Sequence, residues 1–199
     1  MLDGAFSSDP IAWFLHVFEQ ARQNESFDPS RAALATVDPS GQPNVRFVLV
    51  KGVDERGFVF FTNYHSAKAQ ALRAQPRAAL AFHWSSIGIQ ARVEGIASEI
   101  AAEESDAYFA TRPRGSQLAA WASSQSAAIA SRAALEQQLE AVIQRFPDNT
   151  RVPRPAHWGG IRIRPERIEL WQNHAFRLHD RWNFTRNAHG AWSGERLQP

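Results

Sequence analysis

The chain has 199 residues, 44% of them hydrophobic and 21% charged, with a formal net charge of +2, which is globular composition with a charge too slight and dispersed to point to nucleic acid. The absence of cysteine excludes disulfides, thiolate zinc sites and cysteine nucleophiles and agrees with a reducing, cytoplasmic setting. No apolar run approaches the roughly 20 residues of a membrane span, and no basic region followed by an apolar core and a cleavage site opens the chain.

The first predicted element is a helix over about 10–23, with Asp9 as its cap and Pro10 at its first position. Ile11, Phe14, Leu15 and Phe18 recur along it at helical spacing. "RAALATVD" reads as a strand and "PSGQP" as a turn. "NVRFVLVKGV" and "FVFFTNY" read as a hairpin around "DERG". "HSAKAQALRAQP" is a short helix capped by Ser66 and stopped near Pro76. "RAALAFHW" and "IQARVEGIASEI" are two more strands. "AAEESDAYFATRP" is a helix with Glu103 and Glu104 near its positive end and Pro113 past its finish. The Ala/Ser-rich "GSQLAAWASSQSAAIA" is ambiguous. "SRAALEQQLEAVIQRF" is amphipathic, with Leu135, Leu139, Val142, Ile143 and Phe146 on one stripe. "PDNTRVPRPAHWGG" reads as a loop. The tail reads as strands "IRIR", "RIELWQ", "FRLHDRWNFTR" and "AWSGERLQP", with turns at "PE", "QNHA" and "NAHG".

Strands thus precede and follow a helical middle, and they pair as hairpins. This is an α+β pattern, mainly β. It predicts an antiparallel barrel with helices packed outside, in a single domain over 1–199 that includes the C-terminal strands 159–199.

Four segments hold polar groups that a ligand could use. In "RFVLVK", Arg46, Val48 and Val50 share one strand face, while Phe47, Leu49 and Lys51 share the other. This is either a core strand with charged ends or a bed for a planar ligand. Lys68 falls in the first turn of the helix after "FFTNY", beside amides free to hold a phosphate; the alternative is an exposed lysine. The two lysines of the chain are Lys51 and Lys68. In "DAYFATRPRGS", Tyr108 and Arg112 are four residues apart on a helix, and Gly115 allows a tight turn before Ser116. These donors suit a phosphate monoester, or the cations simply favour a helix C-terminus. In "FRLHDRWNF", an extended strand would put Arg177, His179 and Arg181 on one face, either solvated or meeting an anion. The chain has no phosphate loop, dinucleotide glycine motif, nucleophile elbow or histidine pair with metal-ligand spacing, and no metal is expected. The chemistry therefore comes from a cofactor, or there is none.

Taken together, "VRFVLVKG", "GFVFFTNY", "EESDAYFATRPRGSQLAAWASSQS", "VPRPAHWGG", "PERIELWQ" and "RLHDRWNF" resemble, in order, the motifs of the pyridoxine/pyridoxamine 5′-phosphate oxidases. The resemblance implies an FMN-binding split β-barrel working as a homodimer, with FMN at the subunit interface. It implies that Arg46, Phe47, Val48, Leu49, Val50 and Lys51 lie beside the flavin. Phe61, Thr62 and Lys68 would hold its ribityl chain and phosphate, and Gln90, Gln125, Ser126, Trp171 and Arg181 would complete the site. Lys51, Tyr108, Arg112 and Ser116 would clamp the substrate phosphate. Arg177 and His179 would meet the pyridine ring as the catalytic pair. The cationic face at 177–181 would then meet two phosphorylated aromatics, each carrying about −1.5 to −2 charges.

The implied reaction oxidises the 4′ carbon of pyridoxine or pyridoxamine 5′-phosphate to pyridoxal 5′-phosphate, with O2 as acceptor and H2O2 as product. Two alternatives share the fold: an oxidase acting on another aromatic, of the phenazine type, and a non-catalytic flavin or pyridoxal-phosphate binder. Departures from the family's pattern stand at Ala67, where arginine is common, at Ile89 beside Gln90, and at Phe61, where tyrosine is common. The family's basic, tyrosine-bearing segment that covers the substrate has no match before Pro10. These departures predict weaker FMN retention or an altered substrate preference.

Overall fold

The computed structural model describes residues 9–199; the stretch before Pro10, where a substrate-covering segment would fall, lies outside the described residues apart from Asp9. Asp9 begins the fold as the sequence predicts. Its Oδ1 accepts from the Ile11 and Ala12 amides at 2.9 and 3.2 Å, which satisfies two of the free donors at the start of α1 (Pro10–Asn24). The strands follow as β1 (Arg31–Val37), β2 (Pro43–Asp54), β3 (Gly57–Asn63), β4 (Arg77–Trp84), β5 (Ile89–Glu99), β6 (Trp158–Gln172), β7 (Asp180–Arg186) and β8 (Trp192–Leu197). α2 (Ala67–Ala74) joins β3 to β4. α3 (Ala102–Thr111), α4 (Arg114–Ala122) and α5 (Arg132–Arg145) lie between β5 and β6.

The strand order is β3-β2-β1-β4-β5-β6-β7-β8, and β6 also pairs with β3, so six strands close into a barrel from which β7 and β8 extend. Every pairing is antiparallel. Alternation fills the barrel: Ala78, Leu80, Phe82 and Trp84 of β4 and Ala91 and Val93 of β5 are buried. α1 closes the core with Phe14, fully buried, its ring 4.9 Å from Phe58, 5.1 Å from Phe82 and 5.6 Å from Trp84. A second cluster, with Phe109, Leu118, Val152 and Trp158, packs the helical middle against the barrel. No described helix is long and apolar enough to cross a membrane.

Three local expectations are corrected. The "PE" of the tail is not a turn: β6 runs unbroken through it. Glu94 pairs with Arg167 and Gly95 with Pro165, leaving Glu166 as the extra residue of a bulge. A bulge tolerates a proline without an N–H donor. The ambiguous stretch contains α4, and Gly115 sits inside that helix; the chain turns at Arg112 and Pro113, both extended. The stripe of α5 is only half covered: Leu139 and Val142 meet the second cluster, while Ile143 is 46% exposed.

Candidate functional site

The alternation expected in β2 is present. Phe47 and Leu49 point outward, 71% and 42% exposed, while Arg46 and Val48 are half-buried and Val50 is buried. Arg46 Nη1 donates to Thr36 Oγ1 at 2.6 Å and to the Leu34 carbonyl at 3.2 Å. Lys51 Nζ lies 3.1 Å from Asp28 Oδ2 and donates to Ser30 Oγ at 3.2 Å. Burial alone would raise the Asp28 carboxyl, but hydrogen bonds from Ser30 and Lys51 outweigh it and hold the group below its ordinary value.

Beside this strand lies a pocket of about 290 Å³. One wall is aromatic. Phe61 stacks on Tyr108 with centroids 3.8 Å apart and rings 11° from parallel, and stacks on Trp158 at 5.4 Å. Arg112 crosses this wall with its guanidinium 4.5 Å from the Trp158 ring. Its Nη1 is buried and has no hydrogen-bond partner among the described residues. Burial lowers the pKa of Arg112, against an opposing influence of Tyr108, yet a guanidinium keeps its charge. A buried donor of this kind has a hydrogen bond left to give, and a guanidinium gives its strongest ones to anions.

The other wall holds Lys68. Its Nζ donates to Gln125 Oε1 at 2.7 Å, to Thr62 Oγ1 at 3.1 Å and to Ser66 Oγ at 3.3 Å. Burial, with the nearby charge of Arg46, pushes its pKa down to about 8. Of the first-turn amides that the sequence reading left free, the one at Ala67 is taken. Ser126 Oγ accepts from the Ala67 N–H at 3.2 Å, and Ser126 takes a left-handed backbone at φ 73° to reach it. Ser66 stands at the cap position without a capping bond. Ser116 lies in α4 and is not among the residues lining the pocket.

The remaining predicted residues lie elsewhere. Gln90 pairs with Trp171, and Trp171 with Arg181, so the three stand in one row across β5, β6 and β7. Arg181 is held by Glu169 Oε1 at 3.0 Å and by the Gln198 carbonyl at 3.1 Å. The strand expected over 176–184 begins only at Asp180. Before it, Ala175–Arg177 form a 3-10 turn, with Phe176 and Arg177 both at positive φ. Arg177 and His179 therefore do not alternate with Arg181 on a strand face; they belong to the excursion between β6 and β7. His179 still reaches the row, its ring 4.4 Å from that of Trp171.

The predicted residues thus form two groups. Thr62 of the first pairs with Gly159, whereas Gln90 and Arg181 of the second pair with Trp171. Residues 159 and 171 are twelve steps apart along β6, up to roughly 40 Å at 3.3 Å per residue. Of the departures, Phe61 keeps the aromatic stack without a hydroxyl, and Ile89 is buried in the core, on the face opposite Gln90. Sequence reasoning missed Trp158, Asp28, Thr36 and Glu169. Only Trp158, inside the "HWGG" motif, carried a signal; the others act through pairings across strands or loops.

The architecture is that of the FMN-binding split-barrel proteins. It is shared by PhzG from Burkholderia lata 383, solved in complex with tetrahydrophenazine-1-carboxylic acid, at TM-score 0.90 and 26% identity over 99% of this chain and 98% of that one. It is shared too by an FMN-binding protein from Nostoc punctiforme related to pyridoxamine 5′-phosphate oxidase, at TM-score 0.78 and 21% identity over 98% and 100%. The family model described as pyridoxamine 5′-phosphate oxidase matches residues 19–146, and that of the pyridoxine 5′-phosphate oxidase C-terminal dimerisation region matches 158–199. Pyridoxine/pyridoxamine 5′-phosphate oxidase from Rubrobacter xylanophilus is 52% identical over 99% of this chain and 89% of its own length. The Burkholderia lata protein of that name is 52% identical over 96% and 89%. The chain belongs to the pyridoxamine 5′-phosphate oxidase family, a family of oxidoreductases.

Proposed function

We propose that the chain oxidises pyridoxine and pyridoxamine 5′-phosphates to pyridoxal 5′-phosphate with FMN, O2 taking the electrons, as a homodimer. The observation that carries this reading is Arg112, whose buried Nη1 lacks a hydrogen-bond partner among the described residues, at the wall of a pocket between an aromatic stack and an apolar strand face. Arg112 and Tyr108 would hold the vitamer phosphate, joined by Lys51 once it turns from Asp28, with Ser116 of α4 as a further donor.

The donor set also fits FMN. Lys68, supported by Thr62 and Gln125, offers a cation to its phosphate, with Arg46 close enough to depress the lysine's pKa. Phe47 and Leu49 offer the flat apolar bed that an isoalloxazine needs. Bound FMN supplies a two-electron acceptor that O2 regenerates, with H2O2 as by-product. The protein's own work is positioning: anchoring the phosphate at one end so that the 4′ carbon is held at reacting distance. None of Gln90, Trp171, Arg181, Arg177 and His179 lines this pocket, and the first three stand in a row twelve residues along β6 from the Gly159 that Thr62 pairs with. A second copy supplies them, which supports an interfacial site.

A second reading keeps FMN and changes the substrate, favoured by the close superposition on PhzG. Replacing Arg112 by Ala separates the two. The vitamer reading expects kcat/KM for pyridoxine 5′-phosphate to fall about 10- to 100-fold, the loss of a charge-assisted hydrogen bond worth roughly 1.5–3 kcal/mol, with FMN affinity unchanged. Unaltered turnover of the phosphorylated vitamer would overturn it.

A further inference from the structure

The tip of the excursion between β6 and β7 is exposed and strained. Phe176 and Arg177 sit in the left-handed region at φ 59° and 62°, which is disfavoured for a non-glycine residue. Phe176 is 93% exposed and Leu178 70%. The hold lies at the base. His174 Nε2 is 3.0 Å from Asp180 Oδ2, and the other oxygen of Asp180 takes Arg196 Nη2 at 2.6 Å. The His174 backbone N–H then donates to His179 Nδ1 at 3.2 Å. A ring nitrogen that accepts carries no proton, so neutral His179 keeps its proton on Nε2.

We infer that His174 is a positioning residue: its side chain ties Asp180 across the base of the excursion, so that its amide fixes His179 in the Nε2–H tautomer and leaves that N–H as the donor for a ligand. Its meaning for catalysis rests on the vitamer reading; the tautomer itself does not. Any residue but proline at 174 keeps the amide, so His174→Ala removes only the tie. His174→Gln restores it, because the glutamine amide can donate to Asp180.

The test is long-range 1H–15N NMR on the full chain labelled with 15N-histidine, which reads each imidazole's tautomer. The expected result is an Nε2–H signature for His179 in the wild type, averaging of the two tautomers in His174→Ala, and recovery in His174→Gln. With FMN loaded, kcat/KM for pyridoxine 5′-phosphate should fall about 10- to 100-fold in the alanine variant and recover in the glutamine variant. An unchanged His179 signature in His174→Ala, or no recovery in His174→Gln, overturns the inference. If the signature follows residue 174 while no form turns over either vitamer, the positioning role stands and the vitamer reading fails.

Discussion

Lys68 shows at the scale of one residue how the site sets two demands against each other. On the proposed reading an ammonium is wanted for the FMN phosphate, yet burial and Arg46 bring its pKa to about 8. FMN affinity should therefore hold up to about pH 8 and fall above it, as the binding charge is lost. Stability runs the other way. The folded pKa lies below the unfolded one, so between them the unfolded chain binds more protons and the flavin-free protein gains stability as pH rises through 8. Flavin fluorescence titrations and thermal midpoints across pH 7–9.5, compared with Lys68→Met, check both slopes; the variant should bind FMN weakly and flatten each. A wild-type affinity that does not change across this range would show that the lysine's charge is not what holds the phosphate. That Lys68 is a candidate was legible, because it is one of two lysines and begins a helix after a strand. Its partners were not: Gln125 is 57 residues away in sequence, and only the packed helical middle brings it to Nζ.

At the scale of elements, alternation and capping residues revealed the barrel strands and α1, since a period of two or of 3.6 is written in consecutive residues. The bulge in β6 and the left-handed turn before β7 were not legible. Both depend on what lies opposite: Gly95 across from Pro165, and Asp180 within reach of His174 and Arg196. Proline reads as a turn in isolation and as a bulge only against its partner strand. The bulge also explains why Gly95 is a glycine, since a Cβ there would overlap the Arg164 carbonyl. Gly95→Ala should cost about 2–3 kcal/mol and lower the thermal midpoint by several degrees, measured by calorimetry. A midpoint within about 1 °C of wild type would mean that β5 and β6 separate there at little cost.

For the whole molecule, the separation of the two residue groups along β6 has a thermodynamic consequence. If one flavin touches both copies, binding and association are coupled, and each strengthens the other by the same factor. FMN should then lower the dimer dissociation constant, and dilution should release FMN. The outward face of β2 provides a handle on this coupling. Val45 is 71% exposed and continues the apolar row of Phe47 and Leu49, yet it does not line the pocket. A patch of this kind marks an interface, and a buried unpaired carboxylate there would cost several kcal/mol. Val45→Glu should therefore weaken association by roughly 100-fold or more and, with every pocket residue intact, weaken FMN binding too, with the loss recovered as protein concentration rises. Sedimentation equilibrium with and without FMN reads the first effect, and flavin fluorescence at two protein concentrations reads the second. Loss of the dimer with FMN affinity intact at both concentrations would place the whole flavin site within one copy and leave the row at Gln90, Trp171 and Arg181 without a ligand.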